Sequence, residues 1–187
     1  MDDEGTEPAS MRRWITVMIL SCGAALSIIL LLRDRGQDRE AMARSGAIQE
    51  DAPIKASVDV LIKATPEKVW ALLTRVNDWP RWQPKISHAE MAGMVESGTS
   101  FTWGGGGVKI KSRFALVEPD ARIGWTGTSM NAHAIHQWRL ESVAGGKTHV
   151  HVDESMSGFP IMLFYSSKEL QESDQFWLDR LKQEAER

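Results

Sequence analysis

Cysteine is nearly absent from this 187-residue chain, Cys22 being the only one. It cannot close an intramolecular disulfide, and no Cys/His spacing supplies four metal ligands, so an apolar core has to hold the fold. Basic runs are missing too. Residues 53–187 carry sixteen acidic and sixteen basic side chains with the signs mixed, which argues against a nucleic-acid partner, because phosphate backbones demand clustered Lys and Arg. The glycines at 104–107 lack the Lys-Ser/Thr of a phosphate loop and join two strand-like segments. No Gly-x-Ser-x-Gly is present and no thiol follows residue 22, which leaves nucleophilic acyl transfer without a nucleophile. No internal repeat is visible, and nothing in the pattern asks for a cofactor or a resident metal.

One long apolar run is present. Residues 14–32, WITVMILSCGAALSIILLL, are nineteen uncharged residues flanked by Arg12 and Arg13 before and Arg33 and Arg35 after. As a helix they would reach about 28 Å at about 1.5 Å per residue, close to the hydrocarbon thickness of a bilayer. A single transmembrane helix is the preferred reading. A cleaved signal peptide has a shorter apolar stretch, and a lipidated Cys22 would leave ten apolar residues beyond the cysteine; both remain alternatives. Two arginines precede the run and four follow it, which favours a cytoplasmic C-terminal domain under the positive-inside tendency. The expected organisation is a tail at 1–13, a span at 14–32, a polar tether at 33–52 and one domain at 53–187.

In that domain Ile54, Ala56, Val58, Val60 and Ile62 alternate onto one face of a first strand. Thr65-Pro66 then opens a helix bearing Val69, Trp70, Leu72, Leu73 and Val76. NDWPRWQPKI reads as a short helix or turn held by its aromatics. Six more strand-like runs follow between 85 and 156, broken at Gly98, glycines 104–107, Pro119-Asp120 and Ala144-Gly145-Gly146. After Pro160, residues Leu163, Leu170, Trp177 and Leu181 recur at helical spacing. The expectation is an α+β domain, a seven-stranded antiparallel sheet with one long C-terminal helix covering its apolar face.

The stretch VDVLIKATPEKVWALLTRVNDWPRWQPKI resembles the opening of the START-like (SRPBCC) superfamily, in particular its polyketide cyclase/dehydrase branch. Phe101-Thr102-Trp103, Arg122-Ile123-x-Trp125, His136-x-Trp138-x-Leu140, the turn at 145–148 and Glu154 followed by Gly158 extend the likeness over about 53–184. The resemblance implies a helix-grip fold, the sheet wrapped on the terminal helix around an apolar cavity.

Alternation assigns that cavity its residues. If a three-residue loop at 144–146 joins the last two strands, Leu140 faces Val150, Trp138 faces Val152 and His136 meets Glu154 inside. Such a pair can orient a ligand carbonyl or hydroxyl, or act as general acid and base; simple mutual satisfaction is the preferred alternative. Phe101, Trp103, Phe114 and Trp125 point inward with Val108, Ile110 and Ser112, while Asp174 and Ser167 on the last helix face either the cavity or its solvated edge. Trp70 and Trp177 are expected as plain core. His133 lies on the outer face, and His149, His151 and Asp153 share that face too, where no metal is expected. These residues predict a membrane-anchored binder of a hydrophobic small molecule such as a lipid, isoprenoid or polyketide-like compound. A cyclase or dehydratase using His136 and Glu154, and an interaction module whose interior is filled by side chains, are the alternatives.

Overall fold

The computed structural model describes residues 38–187, so the expected membrane span at 14–32 lies outside the described residues. Residues 39–187 form one compact unit. Helix α1 (38–45) is followed by β1 (Ile54–Ile62), α2 (Pro66–Thr74), a 3-10 turn (Val76–Asp78) and α3 (Trp79–Trp82). Then come β2 (His88–Met91), β3 (Ser100–Gly104), β4 (Ile110–Glu118), β5 (Arg122–Ser129), β6 (Ala132–Val143) and β7 (Lys147–Ser157). A second 3-10 turn (Ile161–Leu163) leads to α4 (Ser167–Ala185). The seven strands form one antiparallel sheet in the order β1-β7-β6-β5-β4-β3-β2. The α+β helix-grip architecture is therefore present, with α4 laid on the concave face.

Helix α4 presents Leu170, Asp174, Trp177, Leu178, Leu181 and Ala185 to the sheet, the stripe that 3.6-residue periodicity predicts. Its far end is tied down by Lys182, whose Nζ donates to the Leu61 carbonyl at 2.6 Å, and by Glu186, which accepts from Lys63 N at 2.7 Å. The core centres on Trp79, fully buried, with Nε1 donating to the Leu73 carbonyl at 3.0 Å and its ring edge-on to Trp177 at 5.0 Å. Aromatic pairs in this geometry add to the gain from burial alone.

Two expectations are corrected, while Thr65 and Pro66 open α2 as expected, Thr65 at the N-cap without a side-chain cap bond. Leu163 is not part of the terminal helix: a capping box between Ser166 and Glu169 starts α4 at Ser167, and Leu163 stands exposed in the preceding turn. The described part of the expected tether is packed against the domain. Ala43 is fully buried against Ala115 and Ile135 on the convex face of the sheet. A β-bulge between Phe114 and Leu116 accompanies Ala115, and two alanines at the contact let helix and sheet approach closely. Gln137 then donates from Nε2 to the Ala43 and Ala47 carbonyls at 2.8 and 3.2 Å, tying the last turn of α1 and the loop after it to the sheet. Glycine at 124 makes this possible, since a Cβ there would stand 2.3 Å from Gln137 Oε1.

Candidate functional site

A cavity of about 260 Å³ lies between the concave sheet face and α4. Its interior walls are Trp103, Trp125, Trp138 and Trp177, and its opposite end reaches Gly105, Val108, Thr128 and Ser129. Those last four are at or near the surface, so the cavity opens there, between the β3–β4 and β5–β6 loops. The glycine run shapes this mouth. A Cβ on Gly104 would stand 2.1 Å from the Val108 carbonyl oxygen, and one on Gly105 1.9 Å from that of Lys85; only glycine permits such backbone approach.

Polar groups gather on one wall. Ala144-Gly145-Gly146 closes the β6–β7 hairpin in the expected register, pairing Leu140 with Val150, Trp138 with Val152 and His136 with Glu154. His136 Nδ1 and Glu154 Oε2 are 2.7 Å apart, both residues buried. The imidazole stacks on Trp125 with ring centroids 5.1 Å apart. Asp174 reaches the same place from α4, and its carboxyl hydrogen-bonds that of Glu154. Two carboxyls can do this only by sharing a proton. Accordingly, burial pushes Glu154 up to about 8 and Asp174 up to about 9, the latter also raised by the neighbouring Glu154 charge, while burial holds His136 down at about 4.

The 2.7 Å contact is satisfied in two states of equal net charge. Either Glu154 donates to a neutral imidazole at Nδ1, or an imidazolium donates to ionised Glu154 while Asp174 keeps its proton; burial of the whole cluster favours the first. Both states leave a proton on Nε2. That edge of the ring faces Gly127, where a Cβ would stand 3.6 Å from Nε2, so the absence of a side chain leaves the Nε2–H open to the cavity. The site thus offers the His136 Nε2–H as a donor to the cavity, backed by a chain of two protonated carboxyls, within aromatic walls.

Of the residues expected in the cavity, Trp103, Trp125, His136, Trp138, Glu154 and Asp174 line it, as do Val108 and Ile110. Phe101 and Phe114 do not: they stack on each other at 4.5 Å within the core behind the lining. Ser112 is occupied as acceptor for Trp103 Nε1 at 3.0 Å, fixing that indole rather than a ligand. Ser167 sits outside, accepting from Lys55 N at 3.0 Å. Trp177 is core and cavity wall at once, and Tyr165 and Ser173 were missed. Outside the cavity, His149 pairs with Asp59 at 2.9 Å and His151 with Asp153 at 3.0 Å on the convex face. Among the described residues no cluster of three or more His, Cys, Asp or Glu could hold a metal ion.

The polyketide cyclase / dehydrase and lipid transport family matches this chain over residues 53–186. The chain belongs to that family. No curated protein matches it. Among solved structures, a hypothetical protein of Helicobacter pylori superposes with TM-score 0.65 at 20% identity, covering 73% of this chain and 90% of the other. A START superfamily protein of Mycobacterium smegmatis gives 0.61 at 14% identity over 71% and 97% of the two chains. The Zhui aromatase/cyclase of Streptomyces sp. R1128 gives 0.59 at 16% identity over 71% and 93%. At these identities the likeness establishes the START fold of this polyketide cyclase/dehydrase family member.

Proposed function

We propose that the domain binds a small apolar molecule bearing an acceptor oxygen, a ketone, ester or hydroxyl, and that residues 14–32 hold it at a membrane. The observation that carries this reading is the open donor His136 Nε2–H, set in a tryptophan-walled cavity of about 260 Å³, near the lower edge of small-molecule sites at roughly 300–1,000 Å³. The oxygen of the ligand accepts from Nε2 and its apolar body lies against Trp103, Trp125 and Trp177. A tether at the bilayer keeps such molecules at high effective concentration. The interaction-module alternative loses its premise, since side chains do not fill the interior.

The test uses the naphthyl ketone prodan, with energy transfer from tryptophan as readout. Saturable binding is expected, weakened about tenfold by His136→Phe, the equivalent of one lost hydrogen bond of about 1.4 kcal/mol. No saturable uptake of prodan, together with nothing apolar extracted from the purified protein, would sink the reading. A second reading, acid catalysis at a ligand carbonyl of the cyclase or dehydratase kind, is favoured by the chain Asp174 to Glu154 to His136, which can deliver and recover a proton at Nε2.

A further inference from the structure

The segment joining β7 to α4 differs from the rest of the surface. Residues 155–167 carry no charge, and Phe159, Met162, Leu163 and Phe164 are 68%, 47%, 62% and 75% exposed. Met130, on the β5–β6 turn, is 78% exposed. The two loops are in contact, for a Cβ on Gly158 would stand 2.0 Å from the Asn131 carbonyl oxygen. Five large apolar side chains therefore stand in water at the end of the sheet where the cavity opens. Soluble surfaces rarely expose contiguous apolar patches without a use for them.

The path of the chain says what covers this rim. Burial lowers the His133 pKa and the charge of Arg39, at the start of α1, lowers it further; His133 is the second residue of β6, beside the Met130 turn. From there α1 runs past Arg113, which pairs with Glu40 at 3.8 Å, towards Arg122 beside Gly46 at the opposite end. The chain thus enters the domain at the mouth end. Only residues 33–37 separate α1 from the apolar run at 14–32, and they span at most about 20 Å when extended. A bilayer holding that run lies within this reach of the start of α1, at the end of the sheet that carries the rim.

We propose that the rim is a membrane-docking surface: the side chains of Met130, Phe159, Met162, Leu163 and Phe164 enter the bilayer interface and turn the cavity mouth towards it. The inference rests on the membrane placement proposed above and is independent of which molecule the cavity takes. Apolar side chains dipping into the acyl boundary, with the exposed Lys109 beside the β5–β6 turn at headgroup level, follow the pattern of interfacial anchors.

Full chain carrying Cys22→Ser and a single NBD-labelled cysteine, Phe164→Cys, Met130→Cys or Gln183→Cys, is reconstituted into phosphatidylcholine/phosphatidylglycerol vesicles. Gln183 is exposed at the far end of α4 and serves as the control. Labels at 164 and 130 are expected to emit to the blue of their position in water and to lose intensity when lipids carry a headgroup-proximal doxyl; the label at 183 does neither. Water-like emission at 164 and 130 in a chain that floats with the vesicles overturns the docking and leaves the anchor standing. Failure to float overturns both. A blue shift that follows protein density without lipid quenching assigns the rim to a second copy and overturns the proposal as well. Prodan binding is read separately, so loss of the cavity reading is distinguishable from each of these.

Discussion

At the scale of single residues the site is a neutral cluster built from three ionisable side chains. Its cost and its use have the same origin, because burial keeps protons on Glu154 and Asp174 that the unfolded chain releases. Their contribution to stability is complete below the unfolded carboxylate pKa values near about 4 and is lost as pH rises through about 8 for Glu154 and about 9 for Asp174. His136 runs the other way, its contribution complete above about 6.5 and lost as pH falls through about 4. Between about pH 6.5 and 9 only the two carboxyls of the cluster titrate, so the melting temperature is expected to fall across that window. Glu154→Gln keeps a donor for Nδ1 and an acceptor for Asp174 while removing one proton from the exchange. Its thermal profile should be visibly flatter, and a Glu154→Gln variant as steep as the parent would place the protons elsewhere. The same substitution separates binding from catalysis: prodan affinity should change less than about threefold, whereas any turnover that draws its proton through residue 154 should fall by about 10² or more.

At the scale of elements, α1 and its contact with the sheet carry a further expectation. Gln137→Ala removes both bonds to the end of the helix and should cost about 1–2 kcal/mol, with amide exchange accelerated in 38–52 and unchanged in β7. Uniform acceleration would instead mean that α1 and the sheet unfold as one unit. This element also marks where sequence reading stops. A glutamine on the convex face of a strand reads as solvated, and only the glycine at 124 and the alanines at 43 and 115 reveal that something lies on it. The β6–β7 hairpin was legible because a three-residue loop and period-2 alternation together fix register, and a slip by one would send His136 outwards. The start of α4 carried its signal in Ser166-x-x-Glu169, yet Leu163 falls at a spacing that continues the helical stripe and masks it. Asp174 sharing a proton with Glu154 depends on the rotation of α4 about its own axis, which no local pattern specifies.

For the molecule as a whole, the void beneath the sheet sets stability against function. Interiors pack densely, and unfilled volume costs about 24 cal/mol per Å³ in the best-studied core. A cavity of about 260 Å³ left in a domain of this size is therefore maintained against a gradient towards closure. Ala134 lines that cavity, pairs with Gly127 on β5 and Met156 on β7, and is 8% exposed. Ala134→Leu adds apolar volume to the void while His136, Glu154 and Asp174 themselves are kept. If the void exists to take a ligand, this variant should gain about 0.5–2 kcal/mol, as cavity filling commonly does, while prodan binding falls at least about tenfold. Denaturant melts and probe titrations on the same preparation give both numbers. A variant that loses stability shows that the walls have no room to give, and one that gains stability yet still takes the probe moves the binding site out of this cavity. The mirror-image change, Trp79→Ala, opens a hole in the packed half of the core instead. It should cost about 3–5 kcal/mol with no gain in binding, so the two variants together separate space kept for a ligand from space the fold must fill.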